Sequence, residues 1–140
     1  MKINTLAYSH EASLWNLEKV SFAQLSLLVG LSGVGKTRIL RGLQHLSSVA
    51  AGGSLDGVTW EIEFTADEKD YLWRGKFESL GYSFTDVITN HHIERPGLPK
   101  KPRVVSEEII LENIVIASRI AEEVKFRGNS IPKLSADESL

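Results

Sequence analysis

An α/β domain built on a mixed sheet is the fold class this sequence predicts, and three stretches predict it. Residues 25–46 run from an apolar strand through a glycine-rich turn into an amphipathic helix. Residues 59–78 alternate apolar and polar side chains with the period of a strand. Residues 106–128 begin with a capping serine and carry a wide apolar face, as a long helix does.

Taken in order, residues 2–8 read as a first strand with Ile3 and Leu6 inward, and residues 9–13 as a polar turn. Residues 14–22 alternate moderately and read as a second strand, able to form a hairpin with the first. Leu25, Ser26, Leu27, Leu28 and Val29 form the short apolar run expected of a buried parallel strand. The helix that follows places Ile39, Leu40, Leu43 and Leu46 on one face and ends near residues 47–49. Residues 50–57 are small and glycine-rich, which predicts a loop.

Trp60, Ile62 and Phe64 then alternate with Thr59, Glu61 and Glu63, and Tyr71, Trp73 and Phe77 continue the pattern beyond a charged link. Gly75 interrupts the second apolar series. The pair predicts an antiparallel hairpin with one buried face, hence the mixed sheet. Residues 80–90 are ambiguous, with Tyr82, Phe84, Val87 and Ile88 compatible with a further strand. Residues 95–103 form a basic, proline-rich loop. The last predicted helix has Ser106 as N-cap, and Glu107 and Glu108 in its first turn. Its apolar face is Ile109, Ile110, Ile114, Ala117, Ile120, Ala121 and Val124, and Gly128 is its stop. Residues 129–140 read as irregular, and no internal repeat is present.

Residues 30–37, Gly-Leu-Ser-Gly-Val-Gly-Lys-Thr, match G-x-x-x-x-G-K-[ST] in full. The residue types suit polyphosphate. Gly30 permits the turn out of the strand, and Gly33 and Gly35 let the backbone approach the phosphates without a side chain in the way. Amide groups of Ser32, Gly33, Val34 and Gly35 converge as an anion nest at the helix start. Lys36 supplies a point charge to the outer phosphates, and the Thr37 hydroxyl is placed to ligate Mg²⁺.

The chain has 140 residues, 42% of them hydrophobic, so it can bury one core. Its net charge of −2 excludes a global basic field for nucleic acid. It contains no cysteine, which excludes disulfides and thiolate metal sites. No run approaches membrane-spanning length, and the N-terminus lacks a signal-peptide core. A soluble cytoplasmic protein is the expectation.

The spacing Gly30-x-Ser32-Gly33-x-Gly35-Lys36-Thr37, with strands before it and a hairpin after it, resembles the N-terminal lobe of ABC-type ATPase heads. That group includes SMC proteins, and the likeness extends to OLD-like and phage-defence ATPases of the bacterial "AAA family". The resemblance implies MgATP as ligand and Lys36 as the catalytic lysine. Two heads would sandwich the nucleotide as a homodimer, and a nuclease, another effector or nucleic acid would be acted upon. Family members often carry Ser or Thr where Arg38 stands, so Arg38 reads either as an added phosphate contact or as a solvated side chain. No apolar run ends in Asp-Glu as a Walker B strand does; Asp137 and Glu138 are the nearest acidic pair. No separate signature motif is present. Residues 1–140 are therefore expected to be one lobe of a longer ATPase, which binds nucleotide with little turnover. The alternatives are a nucleotide-sensing module without hydrolysis and a small P-loop kinase.

Other candidates carry a plainer reading. Tyr8 and Trp15 would stack on adenine or pack the sheet, and packing is the commoner role. Trp60, Trp73 and Phe77 read as hairpin core. His91, His92 and Glu94 read against a zinc site, because adjacent positions point apart in an extended chain and no third ligand is evident. Lys100, Lys101 and Arg103 read as a solvated loop rather than a nucleic-acid footprint.

Overall fold

A computed structural model describes residues 1–31, 35–81, 101–131 and 139–140. Strand β1 (Lys2–His10) runs through a single 3₁₀ turn (Glu11–Ser13) into β2 (Trp15–Ser21). Helix α1 (Lys36–Ala50) follows, then β3 (Val58–Ala66), β4 (Lys69–Phe77), β5 (Val104–Leu111), β6 (Ile114–Ile120), β7 (Glu123–Phe126) and the short β8 (Asn129–Ser130). The strands form one sheet in the order β2-β1-β3-β4-β5-β6-β7-β8. Every neighbouring pair is antiparallel.

This corrects the predicted α/β class with a mixed sheet. The described residues form an antiparallel sheet with one helix on it. Two expectations account for the difference. Residues 25–29, expected as a parallel strand, join no strand. The helix expected from Ser106 is instead β5, β6 and β7. Its apolar face did fit a helical period, but five of its seven residues are β-branched, and such residues lose side-chain freedom in helices and favour pleated surfaces. The chain reverses at Glu112 and Asn113 (φ 47° and 68°) between β5 and β6, at Ala121 (φ 52°) between β6 and β7, and at Arg127 and Gly128 (φ 48° and 81°) after β7. Left-handed pairs of this kind match the twist of hairpin strands.

The predicted hairpins are present. β1 pairs with β2, with a register irregularity between Leu6 and Tyr8. β3 pairs with β4 through Asp67 and Glu68, and Trp60 faces Gly75 across the ladder. The predicted first helix and the loop after it are also present. Of the ambiguous stretch 80–90, only Leu80 and Gly81 are described, without regular structure. Residues 82–100, including His91, His92, Glu94 and Lys100, and the pair Asp137 and Glu138 lie outside the described residues.

Helix α1 packs on one face of the sheet, over β1 and its neighbours. Leu46 and Val49 of α1 join Leu6 and Tyr8 of β1, Val58, Trp60 and Ile62 of β3, Phe77 of β4 and Val104 of β5 in one buried cluster. Gly42 sets the approach, since a Cβ there would lie 3.3 Å from the Trp15 ring and 3.6 Å from Tyr8. Gly75, which broke the apolar series, is covered by the Trp60 indole; a Cβ there would meet ring carbons at 2.5 and 2.6 Å. The gap in the pattern is thus the seat of the largest core side chain. The opposite face is polar, with Lys19 bonded to Glu61 at 2.8 Å and Glu63 at 2.7 Å, and Arg74 to Glu108 at 2.7 Å.

Candidate phosphate-binding turn

Residues 30–38 sit where the long connection from β2 enters α1. Gly35 is the N-cap with φ 98° and ψ 1°. The space around it is open to a Cβ, so the left-handed backbone alone selects glycine. Its carbonyl accepts from Arg38 N–H at 2.9 Å and Ile39 N–H at 3.2 Å, which starts the helix. Among the described residues, no side chain caps this end.

The Lys36 ammonium folds back over the turn and donates to the carbonyls of Gly30 and Leu31, both at 2.6 Å. Thr37 and Arg38 are exposed, and Lys36 is half-buried. Ser32, Gly33 and Val34 lie outside the described residues. Of the predicted set, Gly30, Gly35, Lys36, Thr37 and Arg38 are therefore placed together at one helix start.

The charge pattern of α1 runs against its own dipole. The first turn carries no acid, yet it holds Lys36 and Arg38. The N-terminal end of a helix is the positive end and favours anions by about 0.3–1 kcal/mol per charge. Two cations there raise the local potential and leave the end suited to a multiply charged anion. The Thr37 hydroxyl is open to solvent beside them, which suits a Mg²⁺ ion that keeps most of its own waters.

Tyr8 and Trp15 brace the helix from below. Tyr8 is buried, and its ring lies 4.9 Å from that of Trp15. The Tyr8 hydroxyl bonds His45 Nδ1 at 2.7 Å. Burial pushes the Tyr8 phenol up to about 12 and holds His45 below the ordinary imidazole value, with His10 and Arg41 adding to the latter effect. Both shifts favour a phenol O–H donating to a neutral imidazole. Tyr8 is thus committed to the core.

Two groups were not singled out as functional by the sequence. Glu107 of β5 and Arg119 of β6 are register partners and both are buried. Glu107 accepts from Trp73 Nε1–H at 2.6 Å, from Leu140 N–H at 2.8 Å and from the Ser139 hydroxyl. Arg119 Nε–H donates to the Ala121 carbonyl at 2.9 Å. Reading residues 106–128 as a helix put Glu107 in an exposed first turn, which hid this carboxylate. The second group lines a concavity of about 620 Å³ bordered by Thr59, Glu61, Arg74, Lys76, Ser106 and Glu108. Its charges are largely paired, Arg74 with Glu108 inside it and Glu61 and Lys76 with Lys19 and Glu11 beyond it.

Among the described residues, no group of three or more His, Asp or Glu side chains is arranged to hold a metal ion. No helix among them is long and apolar enough to cross a membrane. Comparison with protein-family models, with curated proteins and with solved structures finds no match.

Proposed function

We propose that this chain binds the polyphosphate of MgATP at residues 30–38. Lys36 and the turn amides would grip the phosphates, with Arg38 as an added contact, and Thr37 would hold the metal. The observation that carries the reading is the Lys36 ammonium poised over the turn at the helix start, 2.6 Å from two backbone carbonyls. A lysine held there needs only a small swing to exchange a neutral carbonyl for a phosphate oxygen, a charge-assisted and stronger partner. The absence of acid in the first turn of the helix, and of a capping side chain among the described residues, supports the same reading.

The reading rests on this local geometry and on the motif, since the sheet around it is antiparallel rather than mixed. Residues 30–38 contain no carboxylate. Phosphoryl transfer needs a group that positions the attacking water. Binding is therefore the activity proposed for these residues, and hydrolysis belongs to an assembly that supplies the acid. In that assembly, ATP use would drive a partner protein or a nucleic-acid transaction.

Calorimetric titration with MgATP tests the binding. Lys36→Ala should weaken it at least about tenfold, the loss of one charge-assisted contact. Equal affinity in parent and variant would remove Lys36 from the site.

A further inference from the structure

Residues 25–31 read Leu-Ser-Leu-Leu-Val-Gly-Leu and join no strand. Leu25, Leu27, Val29 and Leu31 occupy alternate positions and are 90, 85, 78 and 82% exposed. That is the apolar row of a half-buried strand, left in water. Single exposed leucines are ordinary, but a contiguous row of them marks an interaction surface. Among the described residues, the main-chain groups of this stretch that are hydrogen-bonded are the carbonyls of Gly30 and Leu31, which accept from Lys36. Residues 22–35 contain no charged side chain. Exposed edges usually carry such charges to prevent pairing with another chain.

The order of side-chain sizes points to the occupant. Around Leu28, Leu27 matches Val29, Ser26 matches Gly30 and Leu25 matches Leu31. Large, small and large positions read the same in both directions. A stretch with this symmetry complements itself when two copies run antiparallel. We propose that residues 25–31 are the pairing strand of a homodimer, with two copies meeting antiparallel about a two-fold axis at Leu28.

Such an interface is isologous and closes on itself. In this register, Leu25 and Leu27 of one copy lie opposite the partner's Leu31 and the partner's Val29. All eight apolar side chains of the two rows then fall on one face of the new ribbon, because every one is an even number of residues from its neighbours. Small Ser26 and Gly30 face each other on the other side, flanking the two Leu28 side chains. A single short strand buries less than the roughly 800 Å² per partner of a standard interface, so the dimer is concentration-dependent.

The test uses the full chain and its lack of cysteine. Sedimentation velocity across the micromolar range should show monomer passing to dimer. Leu27→Glu, at an exposed position, should keep the circular dichroism and melting of the parent and weaken the dimer at least about tenfold, since it places like charges in the paired row. Leu28→Cys should cross-link on mild oxidation, because residue 28 faces its own copy at about 4.5–5.5 Å between Cα atoms, within disulfide reach. Ser26→Cys should not, because its own copy is displaced by about 13 Å along the ribbon. A chain that stays monomeric throughout would overturn the proposal, as would equal cross-linking at 26 and 28, an unaffected Leu27→Glu dimer, or open-ended polymers.

Discussion

Gly75 and His45 show how a single side chain decides local stability here. The Trp60 ring occupies the volume that a side chain at 75 would need, with the nearest ring carbon 2.5 Å from an added Cβ. That carbon belongs to a rigid indole buried in the core, so it cannot swing away as a flexible side chain would. Gly75→Ala should therefore cost about 1–3 kcal/mol through overpacking, read as a lower urea midpoint at unchanged slope. His45 is held below the ordinary imidazole pKa, first by burial and then by His10 and Arg41. The unfolded chain then binds a proton more readily than the folded one. Stability from this group is complete above the unfolded value of about 6.5 and declines as pH falls toward the folded pKa. Urea midpoints between pH 8 and pH 5 should fall less steeply in His45→Gln than in the parent; an identical slope would remove His45 as the cause.

At the scale of elements, the turns carry the clearest consequence. Asp67 and Glu68 join β3 to β4 with φ 50° and 62°. A left-handed backbone costs an ordinary residue about 1–2 kcal/mol, and glycine is nearly free of that cost. Glu68→Gly should raise stability by up to about 1 kcal/mol, measured as a higher melting temperature, with the hairpin register unchanged. The same conformation at Glu112 and Asn113 ends β5 and opens β6. It is also what separates three strands from the single helix that the apolar spacing suggested. Asn113 is a residue at home in that conformation. Read together with the β-branched flanks, it was the available sign of a hairpin. Helix α1 depends on fit rather than on its own capping. Among the described residues no side chain caps its start, and it is seated by Gly42 against Trp15 and Tyr8.

For the whole molecule, the described residues form one sheet with one helix, with Gly35 and Lys36 at the start of that helix and the apolar row at 25–31 in solvent. The phosphate reading and the dimer strand share Gly30 and Leu31, whose carbonyls accept from Lys36, and they are told apart by variants outside that overlap. Lys36→Ala addresses the first, and Leu27→Glu the second. The chain by itself determined the hairpins of β1–β2 and β3–β4, helix α1 and the composition of the candidate turn. In those places, side-chain period and local backbone preference point to the same answer, so short-range information suffices. Tertiary structure decided the rest. Residues 25–29 have the composition of a buried strand, but a strand exists only with a neighbour to complete its hydrogen bonds, and none of the described strands lies beside it. Glu107 became a buried acceptor because β5 placed it between Trp73 and residues 139–140, partners more than thirty positions away in sequence. Whether Ile109 to Val124 becomes helix or sheet turns on the reversals at 112–113 and 121–122. Apolar periodicity alone cannot separate the two forms when the residues are β-branched and the turns lack glycine.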